Sequence, residues 1–408
     1  MCKVSVIIPV YDVEAWLPEC LNSVLGQTFS ELEVLAVDDA SPDGCGQILD
    51  DYAKRDKRLR VFHLKENRRQ GYGRNLGLSS AKGRYVYFLD ADDCIRPETL
   101  QALYEAAEAE ALDGVFFDSE PVFTSDDMAR RYADYPAAFT GICPDGVCSG
   151  RELFHAMSTQ NQWTCYIQRQ FWRREFLLKH ALGFPEGTEH EDESFSFRAV
   201  LLAERMRYLH RAYFLRRYRP NSVMTRRAEP RDFHGYFRIY NALVDFTWDH
   251  GLENEPGVQI QLGRLWDRCV RFYPVFAAQE LPERWFETDA EMLRRYRAFA
   301  ASRWQSSYDR STVEELFSQL DRDEGLWIYG AGILGRRCFR GLSDAGFRIE
   351  GFLVTERRGN PDTLFGRPVC TLNETDAPGF AIVSLSRGYR EEIHRMLAAA
   401  AWRFLDMP

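Results

Sequence analysis

Tyr85-Val86-Tyr87-Phe88-Leu89-Asp90-Ala91-Asp92-Asp93 is an apolar, aromatic run that breaks off into three carboxylates. A run of that makeup and length reads as a buried strand. Two carboxylates one residue apart at its end can share a hard divalent cation, Mg2+ or Mn2+, which in turn holds diphosphate oxygens. The same turn also fits a solvated helix cap, so its surroundings decide. Upstream, Val4 to Val10 stops at Tyr11-Asp12, Glu33 to Val37 at Asp38-Asp39, and Arg60 to Leu64 near Glu66-Asn67. Between these runs Trp16, Leu17, Cys20, Leu21, Val24 and Leu25 recur at helical spacing, as do the apolar positions from Ile48 to Tyr52, and Pro97-Glu98 opens another helix. Alternating strands and helices predict an α/β domain with a mostly parallel sheet. Its strand ends share one ligand-binding edge, and three of the four strands carry carboxylates to it.

Four stretches, in this order, resemble the motifs of the family 2 glycosyltransferases: Val4 to Glu14, Val37-Asp38-Asp39-Ala40-Ser41-Pro42-Asp43-Gly44, Gly71-Tyr72-Gly73-Arg74-Asn75-Leu76-Gly77, and Phe88 to Asp93. The resemblance covers about the first 225 residues and implies the nucleotide-sugar-binding fold called GT-A. It also implies an inverting, metal-dependent transfer from a nucleotide-diphosphate sugar, expected to be UDP-linked, to a hydroxyl of a glycan, polyol or lipid-linked acceptor. By resemblance Pro9, Tyr11, Glu14, Asp38 and Asp39 hold the base and ribose. Arg74, Asp90, Ala91, Asp92 and Arg219 hold the rest of the donor, and Asp90, Asp92 and Asp93 hold Mn2+ or Mg2+. Gly73 stands where a small Ala is commoner, a departure that touches packing more than chemistry.

His190-Glu191-Asp192-Glu193 resembles the family's Glu-Asp motif. Inverting transfer needs one base for the attacking hydroxyl, and Asp192 takes that part. Glu191 is the alternative base or an orienting partner, and His190 a candidate acceptor contact. Read without the resemblance, the same residues suit the positive end of a helix dipole. Tyr218-Arg219-Pro220-Asn221-Ser222-Val223-Met224 matches a family segment that closes over the diphosphate, with Ser222 assisting Arg219. Some relatives place a metal-ligating His in this region, whereas here none occurs between His210 and His234.

The remaining sequence sets limits. The chain's 408 residues predict two or three domains: the glycosyltransferase unit over 1–225, a helical region over 226–324 and a Rossmann-like unit over 325–408. An excess of 61 acidic over 52 basic side chains argues against nucleic-acid binding. The apolar start is too short for a signal peptide and no run reaches the length of a bilayer span, so the expectation is a cytoplasmic protein. Arg169 to Lys179 is basic and aromatic. Such a stretch either lies peripherally on an anionic membrane or packs its rings inward.

The ten cysteines show no zinc-like spacing. Residues 122–161 read as an irregular excursion, and Trp248, Trp266, Trp285 and Trp304 read as inward anchors of the helical region. Gly330-x-Gly332-x-x-Gly335 follows an apolar strand, and Glu356 lies near the end of the next. That pattern leaves a nucleotide site and a purely structural role both open. The competing functional readings are a non-catalytic nucleotide-sugar binder and an oxidoreductase built on this glycine loop.

Overall fold

The computed structural model describes all residues except 1, 133–136, 142–143, 145, 221–225, 280–281, 307–319, 322–323, 332–334, 336–337, 340–341, 344–345, 358–359, 376–377, 385–386 and 407–408. It divides into two compact units, Met1–Arg227 with Gly235–Asp267, and Ala228–His234 with Arg268–Pro408.

The first unit is built on an eight-stranded sheet of order β3-β2-β1-β4-β7-β6-β8-β5. β1 (Val4–Val10), β2 (Leu32–Asp38), β3 (Leu59–His63) and β4 (Tyr85–Phe88) are mutually parallel. Beyond β4 the short β7 (Gln170–Arg173) runs antiparallel to both β4 and β6 (Gly114–Phe123). β8 (Met206–Tyr218) is parallel to β6, and β5 (Cys94–Ile95) closes the edge antiparallel to β8. β1, β2 and β4 are buried along their whole length, as central parallel strands covered on both faces must be. Their register aligns the ends that matter: Val10 lies beside Asp38, and Asp38 beside His63. The backbone N–H of Leu89 donates to the carbonyl of Ile7 at 3.0 Å. The residues after β1, β2 and β4 therefore emerge along one edge.

Helix α3 (Arg69–Ser80) presses on β1 through its glycines. A Cβ at Gly77 would stand 2.4 Å from the Ile7 side chain, whereas one at Gly73 would meet Pro9 and Val37 at 3.4 and 3.6 Å. The two positions should respond oppositely to alanine. Gly77→Ala overpacks the interface and is expected to lose about 1–3 kcal/mol. Gly73→Ala has room and is expected to gain roughly 0.4–1 kcal/mol by restricting the unfolded chain. Urea midpoints moving in the same direction for both variants would refute this account of the contact.

Two expectations are corrected, and one left open between two alternatives is decided. Residues 122–161 are not one excursion: β6 runs on to Phe123, and Gly150–Thr159 is a helix. Ser149 and Glu152 close that helix with a reciprocal capping box, and Leu153, Phe154 and Met157 enter the core. The basic aromatic stretch is a turn of 3-10 helix, then β7, then the six-residue helix Arg174–Lys179. Phe171 and Trp172 are fully buried. A strand placed between two others needs apolar residues on both faces, so these rings belong to the sheet and not to a bilayer surface. In the helical region Trp248 is 66% exposed and Trp285 39%, Trp266 is half-buried, and the side chain of Trp304 lies outside the described residues. The buried positions of helix Pro230–Asp249 include Phe233, Phe237 and Leu243; Trp248 is off that stripe. No helix among the described residues is long and apolar enough to cross a membrane.

The second unit holds a six-stranded sheet of order β11-β12-β10-β9-β13-β14. Its strands are β9 (Leu326–Tyr329), β10 (Ile349–Val354), β11 (Thr363–Leu364), β12 (Arg367–Thr371), β13 (Phe380–Val383) and β14 (Arg403–Asp406). All are parallel except β11. β11 and β12 have no counterpart in the sequence reading, because Arg367-Pro368 interrupts the apolar pattern.

Candidate functional site

The edge built by β1, β2 and β4 opens with Tyr11, which is 47% exposed, one residue past β1 and two past the buried Pro9. Asp38 ends β2 and Asp39 follows it. The Asp38 carboxylate accepts from the Ser41 backbone N–H at 3.0 Å and contacts His63 Nδ1 at 2.9 Å. That contact holds the His63 pKa above its ordinary value. Asp39 accepts from the backbone N–H of Arg68 at 2.6 Å, and burial pushes its carboxyl up against the pull of that bond. Glu14 Oε2 accepts from the Gly44 N–H at 2.6 Å, and Asp43 accepts from the Glu14 N–H at 2.9 Å. Glu14 thus braces the entry to helix Cys45–Arg55. An open cleft of about 420 Å³ beside the start of α3 is lined by Glu66, Asn67, Arg68, Arg69, Glu186 and Gly187.

Arg74 connects the two acidic stretches. It is 2% exposed, and its Nη2 donates to Asp90 Oδ1 at 2.7 Å while Nη1 donates to Glu191 Oε1. The approach depends on Gly71, where a Cβ would stand 2.6 Å from the Pro185 carbonyl and 3.2 Å from Glu191 Cγ. Although burial opposes its charge, Asp90 and Glu191 hold the guanidinium firmly protonated. Glu191 is itself 1% exposed, and burial pushes its carboxyl up to about 7.

The carboxylates after β4 divide by environment. Asp90 keeps its side chain 30% exposed. Ala91 is buried beneath the turn. Asp92 Oδ2 accepts from Arg219 Nε at 2.7 Å, and burial raises its pKa. Asp93, expected with them as a metal ligand, accepts the Arg217 backbone N–H through Oδ1 at 2.7 Å and is 6% exposed. That bond fastens β8 to the loop. Among the described residues no group of three or more His, Cys, Asp or Glu side chains is arranged to hold a metal. Asp90 and Asp92 each have one oxygen engaged by an arginine. That donor pair suits a magnesium-like ion, which takes one or two carboxylates and completes its shell with water and substrate phosphates.

Asp192 is the second residue of helix α8 (Glu191–Leu202) and is half-buried. Its Oδ1 accepts from the Glu193 N–H at 3.0 Å, and Cys165 Sγ lies 3.6 Å from Oδ2. Burial first, then Glu193, raises its pKa, while Arg74 and His190 pull it down. His190 has φ +63° and stacks on Tyr236 with ring centres 3.8 Å apart. The sequence reading missed Cys165, and it missed Tyr166, whose ring carries the Arg216 guanidinium at 3.9 Å. Neither lies in a recognisable local pattern; they reach the site only because β7 inserts into the sheet. Ser222 falls outside the described residues, as does Gly332. The described cysteines are all free thiols.

Residues 5–179 match the sequence profile of Glycosyl transferase family 2. The chain is 34% identical over 250 residues to the uncharacterized glycosyltransferase EpsJ of Bacillus subtilis, covering 61% of this chain and 71% of that one. It is 26% identical over 223 residues to the glycosyltransferase GlyG of Streptococcus pneumoniae, covering 54% and 72%. Among solved structures, that of S. aureus TarS in complex with UDP-GlcNAc aligns with a TM-score of 0.52 at 23% identity over 85% of this chain and 92% of that one, a likeness of fold. The fold of the first unit is GT-A, and with a relative this similar along most of its length the chain belongs to glycosyl transferase family 2 and is a glycosyltransferase.

Proposed function

We propose that the enzyme transfers a sugar, with inversion, from a UDP-sugar to an acceptor hydroxyl on a glycan or polyol. The donor class follows the one that TarS carries in its crystal structure. In this reading Asp38 and Asp39 receive the base and ribose, since a carboxylate accepts from a ring N–H or a sugar hydroxyl. Asp90 and Asp92 hold Mg2+ or Mn2+. When bound, the ion supplies positive charge against the departing diphosphate. Arg219, paired with Asp92, adds a second positive charge on the same side. Asp192 takes the proton of the attacking hydroxyl, and Glu191 keeps Arg74 in place.

One observation supports this arrangement above the others: the buried guanidinium of Arg74 joins Asp90, just past β4, to Glu191, which begins α8. Donor carboxylates and base are thereby held in one neighbourhood although about a hundred residues separate them. Asp92→Asn tests the assignment. Titration with UDP-sugars and Mn2+ should show donor affinity falling at least tenfold and losing its dependence on the ion. Unchanged Mn2+-dependent donor binding by the variant would remove Asp92 from the metal site.

A further inference from the structure

Arg217, on β8, has no part in the transfer described above, yet its main chain and its side chain both grip the turn after β4. Its backbone N–H donates to Asp93 Oδ1 at 2.7 Å, and its Nε donates to the Asp92 carbonyl at 2.8 Å. The guanidinium also reaches helix Leu17–Leu25 and the residue before it. It lies over the Trp16 ring at 4.7 Å, and Nη2 donates to Glu19 Oε2 at 2.6 Å. The Arg217 side chain is 8% exposed, whereas that of Glu19 is 62% exposed.

This arrangement uses what is particular to arginine. A planar guanidinium donates from Nε and Nη2 in fixed directions while its face rests on an aromatic ring. An ammonium is a compact donor on a flexible stem and cannot serve the carbonyl, the carboxylate and the ring together. The anchor is firm, because Trp16 packs against the core of the sheet. The same helix holds the other end of the turn: Cys20 is fully buried, and its Sγ donates to the Asp90 carbonyl at 3.6 Å. Side chains from outside the turn thus tie down the main-chain oxygens of both Asp90 and Asp92. The carboxylates of those two residues depart from a backbone with little freedom to reorient. Binding constellations tolerate only about 0.5 Å of displacement, and the residues that support them set that tolerance.

We infer, on the reading that Asp90 and Asp92 receive the donor's diphosphate with its cation, that Arg217 is a positioning residue for that end of the donor site. It fixes the Asp90–Asp93 turn against Trp16 and Glu19, and the grip on a nucleoside diphosphate depends on that fixation.

Equilibrium dialysis of the full chain with radiolabelled UDP, in Mn2+ and in EDTA, tests the inference. The parent should bind UDP more tightly with Mn2+. Arg217→Lys keeps the positive charge but not the geometry, and should lower UDP affinity in Mn2+ at least tenfold while the value in EDTA stays within twofold. A role in folding alone would not change the ratio of the two. Glu19→Ala, at an exposed position that should not disturb folding, releases the far end of the guanidinium and should lower UDP affinity in Mn2+ two- to fivefold. Loss of a negative charge would by itself tighten an anion, so the two explanations predict opposite signs, and this variant decides alone if Arg217→Lys does not fold. UDP affinity in Mn2+ that Arg217→Lys keeps, or that Glu19→Ala leaves unchanged or tighter, overturns the inference. If Asp92→Asn abolishes the gain from Mn2+ in that case, the donor reading stands and only the role of Arg217 falls. A parent chain that gains nothing from Mn2+ would remove the donor reading, and the role of Arg217 with it.

Discussion

Asp192→Asn is expected to lower sugar transfer about 10²- to 10⁴-fold, the usual contribution of a positioned general base, while donor affinity stays within about twofold of the parent. The asparagine keeps the size of the side chain and an oxygen able to accept the Glu193 N–H, so the helix start should persist. What it removes is proton-accepting capacity. Burial holds the Asp192 pKa above the ordinary carboxylate value. A raised pKa means that the base is lost to protonation at a higher pH than a solvated aspartate. The acid limb of kcat/KM should accordingly lie above about pH 4 and vanish from the residual rate of the variant. Full turnover by Asp192→Asn, or an acid limb at the same position in both proteins, would move the base elsewhere. Glu191 is a poor substitute for that part, since it is 1% exposed and bonded to Arg74.

Much of the sheet edge after β1, β2 and β4 was legible because it is local. Each of β1, β2 and β4 is a mostly apolar run with carboxylates at or just past its end, so strand and strand end are read in one pass. The same clarity holds for β9. What could not be read is whatever depends on distant pairing. Asp93 resembles its neighbours in sequence, yet β8 arrives beside it and the Arg217 N–H claims its oxygen. Arg169 looks like a surface cation, yet it is 3% exposed, with Nη2 2.6 Å from the Tyr208 hydroxyl and Nε 2.8 Å from the Phe117 carbonyl. A buried strand and an amphipathic helix of similar composition cannot be told apart over four residues. That ambiguity concealed β7, and with it the route by which Cys165 and Tyr166 reach the site.

Arg74→Met should destabilise the first unit by about 3–5 kcal/mol, because it leaves Glu191 buried without its partner, where it must take up a proton to stay folded. Glu191 has essentially no access to water, and Arg74 is the partner that holds its Oε1. Asp90 is 30% exposed and can be solvated instead. The destabilisation should therefore arise mainly from Glu191. This gives a test by double-mutant cycle. Arg74→Met combined with Glu191→Gln removes both charges and should recover a sizeable part of the loss, even though each change alone destabilises. Chemical denaturation of the four proteins measures the coupling, which should exceed about 1 kcal/mol for groups in direct contact. Activity should not recover with stability. With Arg74 gone the link from Asp90 to the start of α8 is absent in both the single and the double variant, and a displacement of about 1 Å can lower a rate about a hundredfold. A double variant that regains stability and transfer together would show that the buried pair serves folding alone. One that regains stability without transfer would show that Arg74 sets the distance between the donor carboxylates and the base.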